Sequence, residues 1–371
     1  MTTSPLRIWF NRTYATGVHL LQQLRDNPDE RAVRLYASHT DPDSPVLTGA
    51  DVVIGEPDAD AGGYGVRVLE VCERRGIQVL WPTSQSIAIS AVADQLRDRG
   101  TLVISAPTRV LELCADKAAT YAVAAEAGIP VPPHHVVRTG ADLMAAYDDL
   151  AGAVGVCVKP TVGTGADGFR VLRPGRPDLA EVFGPTQPIA LLADVVHALD
   201  QPGAMPLLVM PVLPGAEFSV DVLAADGRLH AALIRRKTDD RRRVDLLDDP
   251  DVTRIVKDVV AAVGLSMLGN VQLRCDSGGR MWLLEVNARA SGGLYQAASV
   301  GWNLPWAAIR LAQGRRPELP VPRLPAALVQ VPTALLLDAA PRPDTESGMM
   351  GLPLLHVPVQ RVPAQTRGMT T

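Results

Sequence analysis

Three side chains at alternate positions, Glu285, Asn287 and Arg289, stand in the run RMWLLEVNARASGG that begins at Arg280. On a strand, positions i, i+2 and i+4 share one face. The spacing therefore predicts a carboxylate, an amide oxygen and a guanidinium in a row, with Leu284, Val286 and Ala288 on the opposite face against a core. Magnesium takes hard oxygen ligands, commonly one or two carboxylates completed by phosphate oxygens. Glu285 and Asn287 suit that role, and Arg289 can fork onto a phosphate. The run NVQLRCD, joined to the first through DSGG, offers Gln272 as a further oxygen ligand. Asn and Gln are disfavoured in strand centres, which separates this pattern from an ordinary solvated edge.

The second group is VCVKPTVGTGADGFRVL, residues 156–172, in which Gly163, Gly165 and Gly168 spell G-x-G-x-x-G. In a dinucleotide-binding turn those glycines are followed by a helix whose N-terminus faces the pyrophosphate. Here FRVLRPG follows, which reads as a strand. The expectation is the tip of an antiparallel hairpin, and an NAD-dependent oxidoreductase is disfavoured. Glycines at such a tip still let backbone N–H groups approach phosphate oxygens. Lys159 precedes the loop among apolar neighbours. Only four lysines, Lys117, Lys159, Lys237 and Lys257, stand among 36 basic residues. Lysine and arginine are not interchangeable at compact phosphate sites, so each retained lysine carries weight. Arg235 and Arg236 open the basic run RRKTDDRRR, which reads as a solvated loop or as a substrate-binding segment. The seven histidines show no metal spacing, and no Ser/His/Asp arrangement can be assigned.

The elements that position these groups change character along the chain. Up to about residue 107, strand-like runs (LRIWF, AVRLYAS, ADVVIG, IQVLWP, TLVIS) alternate with helix-like ones (GVHLLQQLRD, GYGVRVLEVCERRG, SIAISAVADQLRDRG). That alternation predicts an α/β unit with a parallel sheet and helices on both faces. One helix is expected from Thr108 to Ala127, stopped by Gly128 and Pro130. Beyond it, VGVCVKP, FRVLRP, PLLVMPVL, EFSVDVLAA, RLHAALIRRK, NVQLRCD and RMWLLEVNA read as strands. DLAEVF, ALLADVVHALD, DVTRIVKDVVAAVG and LPWAAIRLAQG read as helices. Links such as ADGR and DSGGR suit hairpins, giving α+β with antiparallel sheet. From Arg315 the chain is Pro-rich, with ALVQVPTALLL as a candidate added strand and a terminus expected to be disordered.

With 371 residues and a net charge of -4, the chain suits one multi-lobed unit or two to three domains. No apolar run approaches the ~20 residues of a membrane helix, and the N-terminus does not read as a secretory signal. Cys72, Cys114, Cys157 and Cys275 lie too far apart in sequence for a disulfide framework or a C-x-x-C site. A cytoplasmic protein with no membrane or nucleic-acid partner is the expectation.

Four stretches, in order, resemble the ATP-grasp superfamily, and most of all its carbamoyl-phosphate-synthase-like branch. CADKAATYAVAAEAGIPVP resembles the helix with the first ATP lysine. VCVKPTVGTGADGFRVL resembles the second lysine and the glycine flap. LVMPVLPGAEFSVDVL resembles the adenine hinge and the strand after it, and GNVQLRCDSGGRMWLLEVNARASGG resembles the metal strands. The resemblance implies a Rossmann-like pre-ATP-grasp domain (1–107) and two α+β lobes (108–208 and 209–316) before the Pro-rich segment (317–371). It implies that Lys117 and Lys159 contact ATP phosphates under a flap of Gly163, Gly165 and Gly168. It places adenine beside Met210, Pro211, Val212 and Leu213, ribose on Glu217, and magnesium (manganese as an alternative) on Gln272, Glu285 and Asn287. Arg289 would meet the γ-phosphate or acyl phosphate, with Arg235, Arg236, Ser291 and Gly292 as substrate candidates.

The sequence departs from the family at Met210 and Pro211, where a hinge Glu usually takes the adenine amine, and near Ala166, where a Ser is usual. The implied activity is a carboxylate–amine ligase that forms an acyl phosphate from a small carboxylate and joins it to an amine, releasing ADP and phosphate. A bicarbonate-activating carboxylase and an ATP-binding regulator without turnover are the alternatives, and a homodimer is compatible with either.

Overall fold

The structure is a computed structural model; it describes residues 4–331 apart from 59, 151–154, 164–167, 177–187 and 239–242. Three sheets carry the chain. The first is wholly parallel, with β1 (Leu6–Asn11) between β2 (Val33–Ser38) and β4 (Val79–Pro82). Short strands β3 (Val52–Val53) and β5 (Leu102–Val103) lie outside them, in the order β3-β2-β1-β4-β5. A parallel sheet covered on both sides needs apolar residues on both faces, and β1 supplies them. Ile8 and Phe10 pack with Leu20, Leu21 and Leu24 of the helix Gly17–Arg25. Trp9 points the other way, into a cluster with Tyr64, Val68 and Leu69 of the helix Ala61–Arg75.

The middle sheet, ordered β6-β10-β7-β8-β9, comprises β6 (His135–Val137), β10 (Leu207–Pro211), β7 (Val156–Pro160), β8 (Arg170–Arg173) and β9 (Ile189–Leu191). Strands β7 and β8 pair antiparallel, Val156 opposite Leu172 and Val158 opposite Arg170. The glycine run therefore lies between hairpin strands, and no helix opens after it. Only β8 and β9 are parallel in this sheet, a departure from an all-antiparallel second half.

The third sheet, ordered β15-β14-β11-β12-β13-β16, is antiparallel throughout. Its strands are β11 (Glu217–Ala225), β12 (Arg228–Lys237), β13 (Arg243–Leu247), β14 (Met267–Cys275), β15 (Met281–Asn287) and β16 (Ala326–Val329). Asp226 (φ 46°) and Gly227 (φ 77°) make the tight turn of the β11–β12 hairpin, a left-handed pair suited to the sheet's twist. One face is sealed by the helix Pro250–Val263, whose Val252, Ile255, Val256, Val259, Val260 and Val263 are buried at helical spacing. Asp249 caps its start and Gly264 (φ 69°) its end. The other face is apolar at one end, where Leu233 and Leu246 share a core with the first sheet and the helix Leu304–Ala312. At its other end that face is polar.

Asp29 ties these parts together: it accepts hydrogen bonds from Trp306 Nε1 (2.9 Å), Arg310 Nε (3.0 Å) and Arg315 Nη1 (3.2 Å), besides the Arg310 Nη2 contact. These bonds hold the Asp29 carboxyl near pKa 2, with the Arg310 hydrogen bond the largest cause.

The helix expected over Thr108–Ala127 is two helices, Thr108–Ala115 and Lys117–Glu126. The break falls at Asp116, which is extended (φ -100°, ψ 110°) and caps the second helix through Ala118 N (2.8 Å) and Ala119 N (3.2 Å). SIAISAVADQLRDRG likewise divides, into Ser86–Ser90 and Ala93–Asp98. Within the Pro-rich segment, Ala326–Val329 adds to the sheet edge opposite β13. DLAEVF and residues 332–371 lie outside the described residues, as does the expected disordered terminus. No helix among the described residues is long and apolar enough to cross a membrane.

Candidate functional site

The two lysines expected to matter come together in the cleft between the middle and third sheets. The break at Asp116 makes Lys117 the first residue of its helix, so its backbone N–H is free to bond Thr161 O at 2.8 Å. The Lys117 ammonium donates to the Gly163 carbonyl at 2.7 Å, and the residue is 4% exposed. Lys159, on β7 and 7% exposed, donates to Leu284 O (3.1 Å) and Tyr121 Oη (3.4 Å). Burial pulls its pKa down to about 8; the Glu285 charge opposes that fall and the Lys117 charge deepens it. Tyr121 donates to the same Leu284 carbonyl at 2.9 Å, and burial pushes its phenol up.

The carboxylate–amide pair sits across the ladder from the expected third ligand. Gln272 is opposite Glu285 and Asn270 opposite Asn287, after which the register slips so that Leu273 faces Leu283. The slip is a β-bulge, which puts two successive residues on one side of a strand. Leu284 therefore does not lie on the core face with Val286 and Ala288. It packs with the cluster of Tyr121, Cys157 and Met210, next to Glu285, while Leu283, Val286 and Ala288 fill the core beneath the Pro250–Val263 helix. Glu285 is 6% exposed and Asn287 is also buried. Gln272 donates through Nε2 to Asn270 Oδ1 (3.2 Å), which leaves its Oε1 for another partner. Among the described residues no three His, Cys, Asp or Glu side chains converge. One carboxylate and two amide oxygens fit a hard divalent cation that completes its shell with phosphate oxygens and water; they do not make a self-sufficient cage.

Of the hinge residues, Met210 and Leu213 are buried in the Tyr121–Cys157 cluster, with Val212 and Leu284 packed against it. Cys157 Sγ lies 3.4 Å from Met210 O, and burial pushes the thiol up to about 11. Pro211 pairs with Val156 at the strand's end, and Val212 N–H donates to Gly155 O at 2.9 Å. Glu217 is held between Arg274 Nη1 (3.2 Å) and Lys237.

Gly168 has φ 76°, and a Cβ there would meet Pro160 Cδ at 2.6 Å. Gly165 lies outside the described residues. Arg235 and Arg236, neighbours in sequence, point to opposite faces of β12. Arg236 Nη2 donates to Asp245 Oδ2 (2.8 Å) away from the cleft. Arg235 turns inward and is buried beside Asp221, its Nη2 2.8 Å from Asp221 Oδ2. Arg289 lies past the end of β15, its guanidinium 5.2 Å from the ring centroid of Tyr14, which comes from the loop after β1. Gly292 is beside the same loop: a Cβ there would stand 3.7 Å from Thr16 Oγ1.

Sequence reasoning missed Ser219, Asp221, Asn270, Tyr121 and Tyr14. Two of them had a visible signal, because Ser219 and Asp221 continue the alternation that Glu217 begins on β11. A buried face of unlike charges and amides beside two buried ammonium groups is suited to holding a polyanion together with a divalent cation.

Residues 204–334 match the family described as ATP-grasp in the biosynthetic pathway with Ter operon. Over 158 residues the chain is 32% identical to methylcrotonoyl-CoA carboxylase subunit alpha, mitochondrial, of Arabidopsis thaliana; the match takes in 41% of this chain but only 21% of that protein. Among solved structures, an L-amino acid ligase from Bacillus licheniformis is similar at a TM-score of 0.65 and 16% identity, covering 90% of this chain and 82% of that one. The biotin carboxylase domain of Hydrogenobacter thermophilus 2-oxoglutarate carboxylase, in complex with MgADP, ADP and bicarbonate, is similar at 0.61 and 16%, covering 84% and 70%.

Proposed function

Because the chain has the ATP-grasp fold, we propose that it is an ATP-dependent ligase that activates a small carboxylate as an acyl phosphate and joins it to an amine. The observation that carries this reading is the convergence of Lys117 and Lys159, both buried, with the Glu285–Asn287 strand. Buried ammonium groups are costly without a counter-charge, and the triphosphate of ATP supplies one. In this reading Lys117 and Lys159 release the Gly163 and Leu284 carbonyls and take phosphate oxygens. Gly163, Gly165 and Gly168 cover them, the Met210–Leu213 hinge borders the base, and Glu217 takes the ribose. Gln272, Glu285 and Asn287 would hold magnesium, which would supply positive charge to offset that of the phosphates.

A carboxylate oxygen attacks the γ-phosphorus and ADP leaves. The amine then attacks the acyl carbon, phosphate leaves, and the nitrogen loses a proton. Arg289 neutralises charge on the transferred group, the kind of preorganised stabilisation that phosphoryl transfer relies on. Screening pooled amino acids and small carboxylic acids for ADP release tests the reading. ADP and phosphate are expected; AMP and pyrophosphate would overturn it.

The similarity to a carboxylase subunit favours a second reading, in which bicarbonate is the carboxylate that is activated. Bicarbonate-dependent ADP release without any amino acid would select it.

A further inference from the structure

We propose that Asp221 is a positioning residue: through Arg235 and Ser291 it fixes the turn at 288–293, and so holds Arg289 over Tyr14, two residues beyond Asn287. The proposal rests on the reading in which Arg289 meets the transferred phosphoryl group.

Asp221 is fully buried on β11. Its Oδ2 lies 2.8 Å from Arg235 Nη2, and its Oδ1 accepts from Ser291 Oγ (2.7 Å) and Asn270 Nδ2 (2.9 Å). A hydroxyl has one donor and two acceptor sites, and Ser291 uses all three. It donates to Asp221 and accepts from Arg235 Nη2 (2.9 Å) and from the Gly293 N–H (3.1 Å). Arg235 also presses directly on the turn, because a Cβ at Gly293 would stand 2.1 Å from its Nη1. Ala288 and Ala290 are buried on either side of Arg289, so once the turn is fixed the arginine has only its own side-chain torsions left. Those lay the guanidinium over Tyr14.

The alternative role for Arg235, a direct grip on substrate, sits poorly with a guanidinium already matched by a buried carboxylate. Through Asn270, the same aspartate reaches the strand that carries Gln272 and pairs with Asn287. Cation ligands and the arginine turn thus share one support.

Asp221→Asn keeps the shape and removes the charge. Hydrogen exchange on the full chain should show the 288–294 backbone exchanging at least about tenfold faster, with the rest of β11 and β14 unchanged. Unchanged exchange at 288–294, or loss of protection throughout the sheet, would overturn the proposal. If Asp221→Asn does not fold, Ser291→Ala removes the turn's contacts without stranding a charge, and the same exchange pattern decides.

In turnover, Asp221→Asn should lower kcat for ADP release about 10- to 100-fold with KM for ATP within about twofold. It should cost nothing further in an Arg289→Lys background, as expected for two residues that act as a unit. Fully additive losses would count against it. If the unaltered chain releases no ADP with any acceptor, the functional reading fails, while the exchange result still decides the positioning role.

Discussion

The Lys159 ammonium and the Leu284 carbonyl meet at 3.1 Å across 125 residues of sequence. That bond joins the middle sheet to the third, and it ends on the extra residue of the β15 bulge. In the proposed function, a nucleotide phosphate arriving between the sheets would exchange one oxygen partner of the lysine for a charged one.

Replacing Lys159 with alanine should therefore weaken ATP binding. A charge-assisted hydrogen bond contributes about 1.5–3 kcal/mol, equivalent to a rise of about 10- to 150-fold in the ATP concentration for half-saturation. Isothermal titration with ATP and magnesium checks this, and an unaltered affinity would show that the phosphates lie elsewhere.

The pH profile should report the same lysine. Its folded-state pKa is lowered from 10.5 to about 8, so it is charged below that value and neutral above it. The profile of kcat/KM for ATP, which reads the free enzyme, should fall as pH rises through about 8. Stability runs the other way. The unfolded chain binds more protons between about 8 and 10.5, so the cost of burying the charge is relieved across that window. Lys159→Arg stays protonated throughout and should lose the inflection.

Glu285→Gln removes the one carboxylate of the proposed cation set while keeping its shape. Turnover should drop on the order of 100-fold or more, with a raised magnesium requirement and an unchanged circular-dichroism spectrum. Wild-type activity in this variant would remove Glu285 from the metal assignment.

Asp29→Asn tests the clamp between the first sheet and the helix Leu304–Ala312. The carboxyl is lowered from 3.8 to about 2, so its contribution is complete above about pH 4 and is lost as pH falls through about 2. At neutral pH the variant should be less stable by about 2 kcal/mol, read as a lower urea midpoint. Its acid-unfolding curve should be shallower than that of the unaltered chain.

Gly293→Ala adds one methyl where Arg235 already sits. Overpacking of this kind costs about 1–3 kcal/mol. The variant should melt several degrees lower, and Gly292→Ala, whose nearest contact is at 3.7 Å, should not.

Much of this arrangement was legible in the sequence because it depends on local rules. Alternation placed Glu285 and Asn287 together, and the strand after the glycine run ruled out a dinucleotide turn. What escaped was set by pairing between distant strands. Nothing in RMWLLEVNA says that Leu284 is an extra residue, since a bulge is defined by its partner strand. Asp221 meets Ser291 across 70 residues, and Arg235 differs from Arg236 only in which face of β12 it leaves. The helix break at Asp116 was closer to readable: an Asp followed by Lys-Ala-Ala is a fair N-cap signal, and propensity alone hid it.

The bulge also says something about how freely this segment can change. Up to it, Leu283 serves the core while Trp282 and Leu284 pack on the Tyr121–Cys157 cluster; after it, Val286 serves the core while Glu285 and Asn287 take the other face. Deleting Leu284 would make Leu283 and Glu285 neighbours, and neighbours on a regular strand face opposite ways; the leucine would keep the core and the carboxylate the other face. What would be lost is the carbonyl that meets Lys159. A regular strand that kept all its residues would instead put Leu283 and Glu285 on one side, burying a carboxylate in the core or stripping a leucine out of it. For β15, flattening the bulge is therefore more damaging to the two faces than shortening the strand by its extra residue.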